Sequence, residues 1–152
     1  MSSPARLLRT TLTMALALAF AGPAAAAAAD FGQIKTAKGQ VSIERGGQVL
    51  PGAVGARLQP SDILKTGADG AVGITMSDDT LLSAGPNSIL SLDKYAFDST
   101  TSQGQLETTL QKGSLAVISG RIAKQSPDAM KVRTPASVLG VRGTEFVVSV
   151  ND

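Results

Sequence analysis

The chain has 152 residues, with 14 Lys+Arg against 12 Asp+Glu, and it contains no histidine and no cysteine. These absences remove His-based triads, His–metal sites and disulfide frameworks together. Aromatic residues make up 3% of the chain, which leaves no stacking platform for nucleic acid.

The first thirty residues read as an address. Arg6 and Arg9 form a basic start, Leu12 to Phe20 a short apolar run, Gly22-Pro23 a helix breaker, and Ala24 to Ala29 a series of Ala-x-Ala cleavage sites. Residues 1–29 are therefore expected to be a secretory signal cut before Asp30. The apolar run is shorter than the roughly 20 residues a membrane helix needs, so no stable span is expected after cleavage. Removing the leader takes away two arginines and no acid, leaving 12 charges of each sign. A neutral mature domain does not have the basic footprint of a nucleic-acid binder.

From Phe31 onward, short apolar/polar alternations are separated by glycine turns. Val41 and Ile43 lead to Gly46-Gly47, a hairpin signal onto Gln48 to Leu50. Leu58 is the expected inward anchor of an irregular stretch from Gly55 to Asp62. Ile63-Leu64 precedes Asp69-Gly70, again a two-residue turn signal, and Val72, Ile74 and Met76 share one face of the next strand. Gly85-Pro86-Asn87 is read as a turn into Leu90 and Leu92. Gln105 to Gln111 and Leu115 to Ser119 are read as two strands separated by a turn at Lys112-Gly113. Ser126-Pro127-Asp128 has the signature of one short helical turn. The spacing of strands predicts an all-β domain at 30–152, a compact rolled sheet or β-solenoid-like stack of short hairpins. Its core is assigned to Val41, Ile43, Ile74, Leu90, Leu92, Leu115, Val117, Phe146 and Val148.

The last stretch follows strict backbone logic. Pro135 ends the strand begun by Lys131 to Arg133 and biases Thr134 to an extended conformation. Gly140 and Gly143 bracket Val141-Arg142, and Phe146, Val148 and Val150 then alternate with Glu145, Val147 and Ser149. Arg142, held between glycines, is expected to have a fixed partner, either backbone carbonyls within the fold or a ligand outside it. The structural assignment is preferred, because buried turns must satisfy their backbone groups.

The order Gly39-x-Val41, Arg45-x-Gly47, Ile63-Leu64-x-Thr66-Gly67-x-Asp69-Gly70, Asp78-Asp79-Thr80, Gly85-Pro86-Asn87-Ser88, Lys112-Gly113-Ser114, Thr134-Pro135 and Val141-Arg142-Gly143-Thr144-x-Phe146 resembles the FecR-type periplasmic domain. That family is named for the ferric-citrate signal regulator. The resemblance implies a sensory, ligand-binding or protein-interaction module in envelope signalling, without a cofactor. The other role it allows is a structural adaptor of a surface-protein export system. Thr134, Pro135, Arg142, Gly143, Thr144 and Phe146 are the motif residues it marks as interaction candidates, and the expected partner is a protein of the cell envelope. Full regulators of the family resemble an anti-sigma segment and a membrane helix followed by this domain, and the first two are not seen here. Where the family has Asp-Gly-Thr, this chain has Asp78-Asp79-Thr80, which places an aspartate at a φ > 0 position.

Chemistry-bearing residues point away from catalysis. Asp78-Asp79 lacks the further carboxylates of a calcium loop and is read as a solvated turn. Glu44, Glu107 and Glu145 lie at polar positions of separate strands. Ser114, Ser119 and Ser137 have no activating base in a known arrangement, and no enzyme is expected. Finally, Thr144 to Val150 is expected to lack a neighbour on one edge and to serve homodimerisation or β-strand addition, unless the reading frame is truncated.

Overall fold

The computed structural model describes residue 22, residues 31–141 and residues 145–151. The leader assigned to 1–29 therefore falls outside the described residues, apart from Gly22, and so do Arg142, Gly143 and Thr144.

The chain is all-β, a curled, largely antiparallel sheet. Its strands are β1 (Gly32–Lys38), β2 (Val41–Arg45), β3 (Gln48–Pro51), β4 (Arg57–Leu58), β5 (Ile63–Thr66), β6 (Ala71–Met76), β7 (Leu81–Ala84), β8 (Ile89–Phe97) and β9 (Gly104–Ile118), followed by β10 (Met130–Arg133), β11 (Val138–Gly140) and β12 (Glu145–Val150). One helix, α1 (Arg121–Gln125), and a 3-10 turn at Pro127–Ala129 lie between β9 and β10. Among the described residues no helix is long and apolar enough to cross a membrane.

The architecture is organised by β9. Over its first half it pairs with β8 on one edge and, in parallel, with β10 on the other. From Gly113 onward its partners are β7 and β12. Two sheets thus share one strand. Sheet A runs β4-β1-β6-β7-β9-β12, and sheet B runs β3-β2-β5-β8-β9-β10-β11. Gly113 has φ +90, a region that favours glycine. A Cβ there would lie 2.6 Å from the Cα of Ser88. Past this bend the strand doubles back, so that Gly104 at its start lies against Ile122 of α1, which follows its end; a Cβ on Gly104 would sit 3.0 Å from Ile122 Cδ1.

The two inner faces enclose a single core that includes Ile34, Ile43, Leu64, Ile74, Leu82, Leu90, Leu92, Leu106, Leu110, Leu115 and Val117, all essentially inaccessible to solvent. Leu58 is buried as expected, and Val148 faces inward, whereas Val41 and Phe146 are only partly covered. Burying a branched aliphatic side chain stabilises by about 1.5–3 kcal/mol, so the alternation of each strand is sufficient reason for its orientation.

Several local readings are corrected. Gly46-Gly47 does close a hairpin, with Arg45 opposite Gln48. Asp69-Gly70 does not, because β5 pairs with β2 and β8 while β6 pairs with β1 and β7. The segment carries the chain from sheet B to sheet A. Gly85-Pro86-Asn87 carries it back, from β7 to β8. Lys112-Gly113 is a bend inside one 15-residue strand, not a turn between two. At Asp69-Gly70 and Gly85-Pro86-Asn87 the chain does turn, but sheet crossing and hairpin formation share the same local signals. α1 was missed; at five residues it is too short to carry a helical period.

Candidate interaction site

Three hydrogen-bonded knots hold the two sheets in position, and they absorb most of the distinctive residues. At the bend, Thr66 Oγ1 donates to Gly85 O at 2.6 Å and accepts from Ser88 N at 2.8 Å, while Asn87 N donates to Gly67 O at 3.0 Å. Ser88 Oγ bridges to Ser114, accepting from its N at 3.1 Å and donating to its O at 3.2 Å. Thr66-Gly67, Gly85 to Ser88 and Gly113-Ser114 are therefore the clasp at the fold of the sheet.

At the opposite end lies Asp78, fully buried and not the solvated turn the sequence suggested. Its carboxylate accepts from Thr80 Oγ1 at 2.7 Å, Tyr95 OH at 3.2 Å and Ile122 N at 3.2 Å. Tyr95 OH in turn accepts from Asp78 N at 2.9 Å. Thr80 Oγ1 also accepts from Gly120 N at 3.0 Å. Burial and the Asp78 charge push the Tyr95 phenol well above its ordinary range, so it stays protonated and keeps donating. The neighbouring Asp79 is exposed and has φ 66, the left-handed position the sequence comparison assigned to it.

The third knot is Arg45, whose Nε and NH2 each donate to a carboxylate oxygen of buried Asp62 at 2.7 Å, in the bidentate geometry that favours arginine. These groups serve the scaffold. None is arranged around a reacting atom, and among the described residues no three His, Cys, Asp or Glu cluster to hold a metal.

The outer faces of the two sheets differ in kind. On sheet B, Glu44 pairs with Lys65 at 2.5 Å, and Glu107 pairs with Arg133 at 3.2 Å and Lys94 at 3.9 Å. Gln105 Nε2 donates to Glu107 at 2.7 Å, and Gln111 Nε2 donates to Ser91 Oγ at 3.1 Å. Burial opposes ionisation of Glu107, but the Arg133 hydrogen bond, the charges of Lys94 and Arg133 and the Gln105 hydrogen bond outweigh it and hold its carboxyl below the usual range. These five charges on the face are tied into ion pairs.

Sheet A presents a different outer face. Its rows run Thr75–Leu81–Ile118 and Gly73–Ser83–Ala116–Val147 across β6, β7, β9 and β12. Leu81 is 39% exposed, Ile118 43% and Val147 68%. The first row ends on Glu145 of β12, opposite Ile118, while the second row carries no charge. Among the described residues β12 pairs with β9 alone, so its other edge carries unpaired backbone groups.

Beside the end of β12 is a groove of about 510 Å³ lined by uncharged residues, among them Gln111, Pro135, Leu139, Val148 and Val150. Thr134 and Pro135 form its rim. Thr134 closes a turn on itself: its N donates to Ser137 O at 2.8 Å and its Oγ1 accepts from Ser137 N at 3.0 Å. Pro135 then occupies the position of such a turn that a fixed φ suits. Phe146 packs on the core from β12. The structure brings Thr134 and Pro135 together at the rim and places Phe146 on the adjoining strand; Arg142, Gly143 and Thr144 lie outside the described residues. Gly140 ends β11 opposite Lys131 with open space around it, and the turn expected between Gly140 and Gly143 runs into residues outside the described ones. The sequence reading missed the Leu81, Ile118 and Val147 patch. Its signal was present as an apolar residue on the polar phase of three strands, but register alone aligns them.

Fold and surface together define an all-β domain of two sheets that share one long strand. A model of the FecR protein family matches residues 62–152, and the chain belongs to that family, a signalling and regulatory one. The match begins at Asp62, the residue before β5. The preceding strands extend the same sheets outward, β2 and β3 on sheet B and β1 and β4 on sheet A. No curated protein and no solved structure matches the chain.

Proposed function

We propose that the chain is exported, with a mature domain starting near Asp30, and acts in the periplasm as a non-enzymatic sensory module of envelope signalling. It works by binding polypeptide through the β12 side of sheet A. The observation that carries this reading is the contrast between the outer faces: sheet B ties Glu44, Lys65, Lys94, Glu107 and Arg133 into ion pairs, while the β7-β9-β12 part of sheet A presents a partly apolar surface, charged only at Glu145, that runs into an unpaired strand edge. Unpaired edges template the addition of an extended segment, with main-chain hydrogen bonds supplying affinity and flanking pockets supplying selectivity. The groove behind Thr134 and Pro135 is such a flank, and its uncharged lining suits an uncharged segment.

A photo-crosslinking residue placed at Val147, and separately at Thr109 on sheet B, tests the reading in intact cells. Protein adducts from Val147 and none from Thr109 are expected. Adducts from Thr109 alone, or equally from both, overturn it. Mass analysis of the periplasmic chain checks the start near Asp30; a full-length chain beginning at Met1 overturns the export part.

A further inference from the structure

We infer that β12 pairs with β12 of a second copy of this chain, antiparallel, about a two-fold axis passing at Val147. The inference rests on the proposed use of the β12 edge and names one occupant for it.

The strand ends that close the sheets elsewhere are protected. β4 is two residues long, β11 three, and β3 ends in Pro51. Short strands and proline are among the devices that keep edges from pairing. β12 has none of them. It is six residues long, contains neither proline nor glycine, and holds an unbroken register with β9 from Glu145↔Ile118 to Val150↔Gly113. Its one charge, Glu145, is at the end of the strand. An edge of this kind fits a partner strand that is itself regular and uncharged at its centre, and β12 answers that description.

The register follows from the faces. Directly opposed residues of an antiparallel pair share a face, so inward Phe146, Val148 and Val150 must oppose inward residues of the second copy. Centring the axis at Val147 sets Phe146 against Val148, Glu145 against Ser149, and Val147 against itself. The most exposed apolar side chain of this face is then covered by its own twin, and each glutamate faces a hydroxyl. The two glutamates are four residues apart along the paired strands, about 14 Å at the rise of a β-strand, so they do not oppose each other. Moving the axis to Val148 would set Val147 against Ser149, and moving it to Phe146 would set Glu145 against Val147; both leave the valine poorly matched. In the Val147-centred pair, the rows carrying Leu81, Ile118 and Ala116 continue from one copy into the next. A contact of one short strand pair is small beside a standard interface of about 1,600 Å², so the association is concentration-dependent.

The chain contains no cysteine, which makes single-cysteine variants clean reporters. Opposed residues at the axis have Cα atoms about 4.5–5.5 Å apart, within disulfide range, whereas paired copies of Ser149 are about 14 Å apart and outside it. Val147→Cys is expected to oxidise to a covalent dimer, and Ser149→Cys is not. Sedimentation of the unmodified protein is expected to show monomer and dimer exchanging with concentration, and Val147→Lys is expected to weaken the dimer at least tenfold with an unchanged circular dichroism spectrum. A parent that stays monomeric throughout, a Val147→Cys variant that does not oxidise, or equal cross-linking at Ser149→Cys overturns the inference. Val147 photo-adducts to a different protein, with no self-adduct, overturn the inference while leaving the proposed function standing.

Discussion

Sheets A and B share β9 and one core, yet their outer faces follow different rules. On sheet B, Glu44, Lys65, Lys94, Glu107 and Arg133 are tied into pairs and small networks. On sheet A, the residues in the same outward phase across β7, β9 and β12 include Leu81, Ile118, Ala116, Ser83, Val147 and Ser149, with Glu145 the charge at the end of β12. Inward packing is equally good on both sides, so stability does not demand this difference. A face that only needs to stay in water can carry long charged side chains, because they cost little when hydrated or loosely paired. A face that binds must shed its water, and charges there carry a desolvation penalty.

Removing the support both faces share tests the comparison most severely. Asp78→Ala leaves Tyr95 OH, Thr80 Oγ1 and Ile122 N without their common acceptor at a fully buried site. A destabilisation on the order of 3 kcal/mol is expected, since hydrogen bonds to a charged group are worth about 1.5–3 kcal/mol each and unmatched buried donors add to the loss. Thermal melting checks it, and a melting temperature equal to the parent's would mean the sheets are not closed through Asp78. Gly113→Ala attacks the other end of β9. Its φ of +90 and the approach to Ser88 forbid a side chain without movement, so a loss on the order of 2 kcal/mol is expected by denaturant titration.

Smaller effects sharpen the contrast on sheet B. Arg133→Ala removes a hydrogen bond to Glu107, but Arg133 is half in solvent, so the loss expected by melting is under about 1 kcal/mol. The pH dependence is more telling. Glu107 titrates lower folded than unfolded, so the unfolded chain takes up the proton first as pH falls. Its contribution is full above the ordinary glutamate value of 4.5 and is lost progressively as pH drops through that value toward the lower folded one. Glu107→Gln should therefore flatten the loss of stability as pH falls below about 4.5 relative to the parent. Parallel curves for the two proteins would show that the Arg133 and Lys94 contacts are not made in solution.

The smallest expected change in stability carries the most functional weight. Ile118→Lys places a charge in the centre of the sheet A face at a position already open to water. Its stability should stay within about 0.5 kcal/mol of the parent, while photo-adducts at Val147 should fall away. Retained adducts would confine the binding surface to the strand edge.

The sequence by itself determined the fold class, because period-2 burial and the absence of any helical window leave only a sheet. It determined the inward residues of most strands and the Gly46-Gly47 hairpin, since these depend on neighbours within a few residues; the left-handed position of Asp79 followed from the family resemblance. It marked Thr134 and Pro135, and local chemistry explains both as makers of a turn. Which strands are neighbours was decided only in three dimensions. Turn signals at Asp69-Gly70 and Lys112-Gly113 are the same whether the chain forms a hairpin, changes sheets or bends within one strand, and long-range pairing along β9 makes the choice. The burial of Asp78 was likewise hidden, because its partners Tyr95 and Ile122 are distant in sequence. So was the apolar outer face: Leu81, Ile118 and Val147 come from three separate strands, and each alone is an unremarked exposed residue. They become a surface only when register sets them side by side.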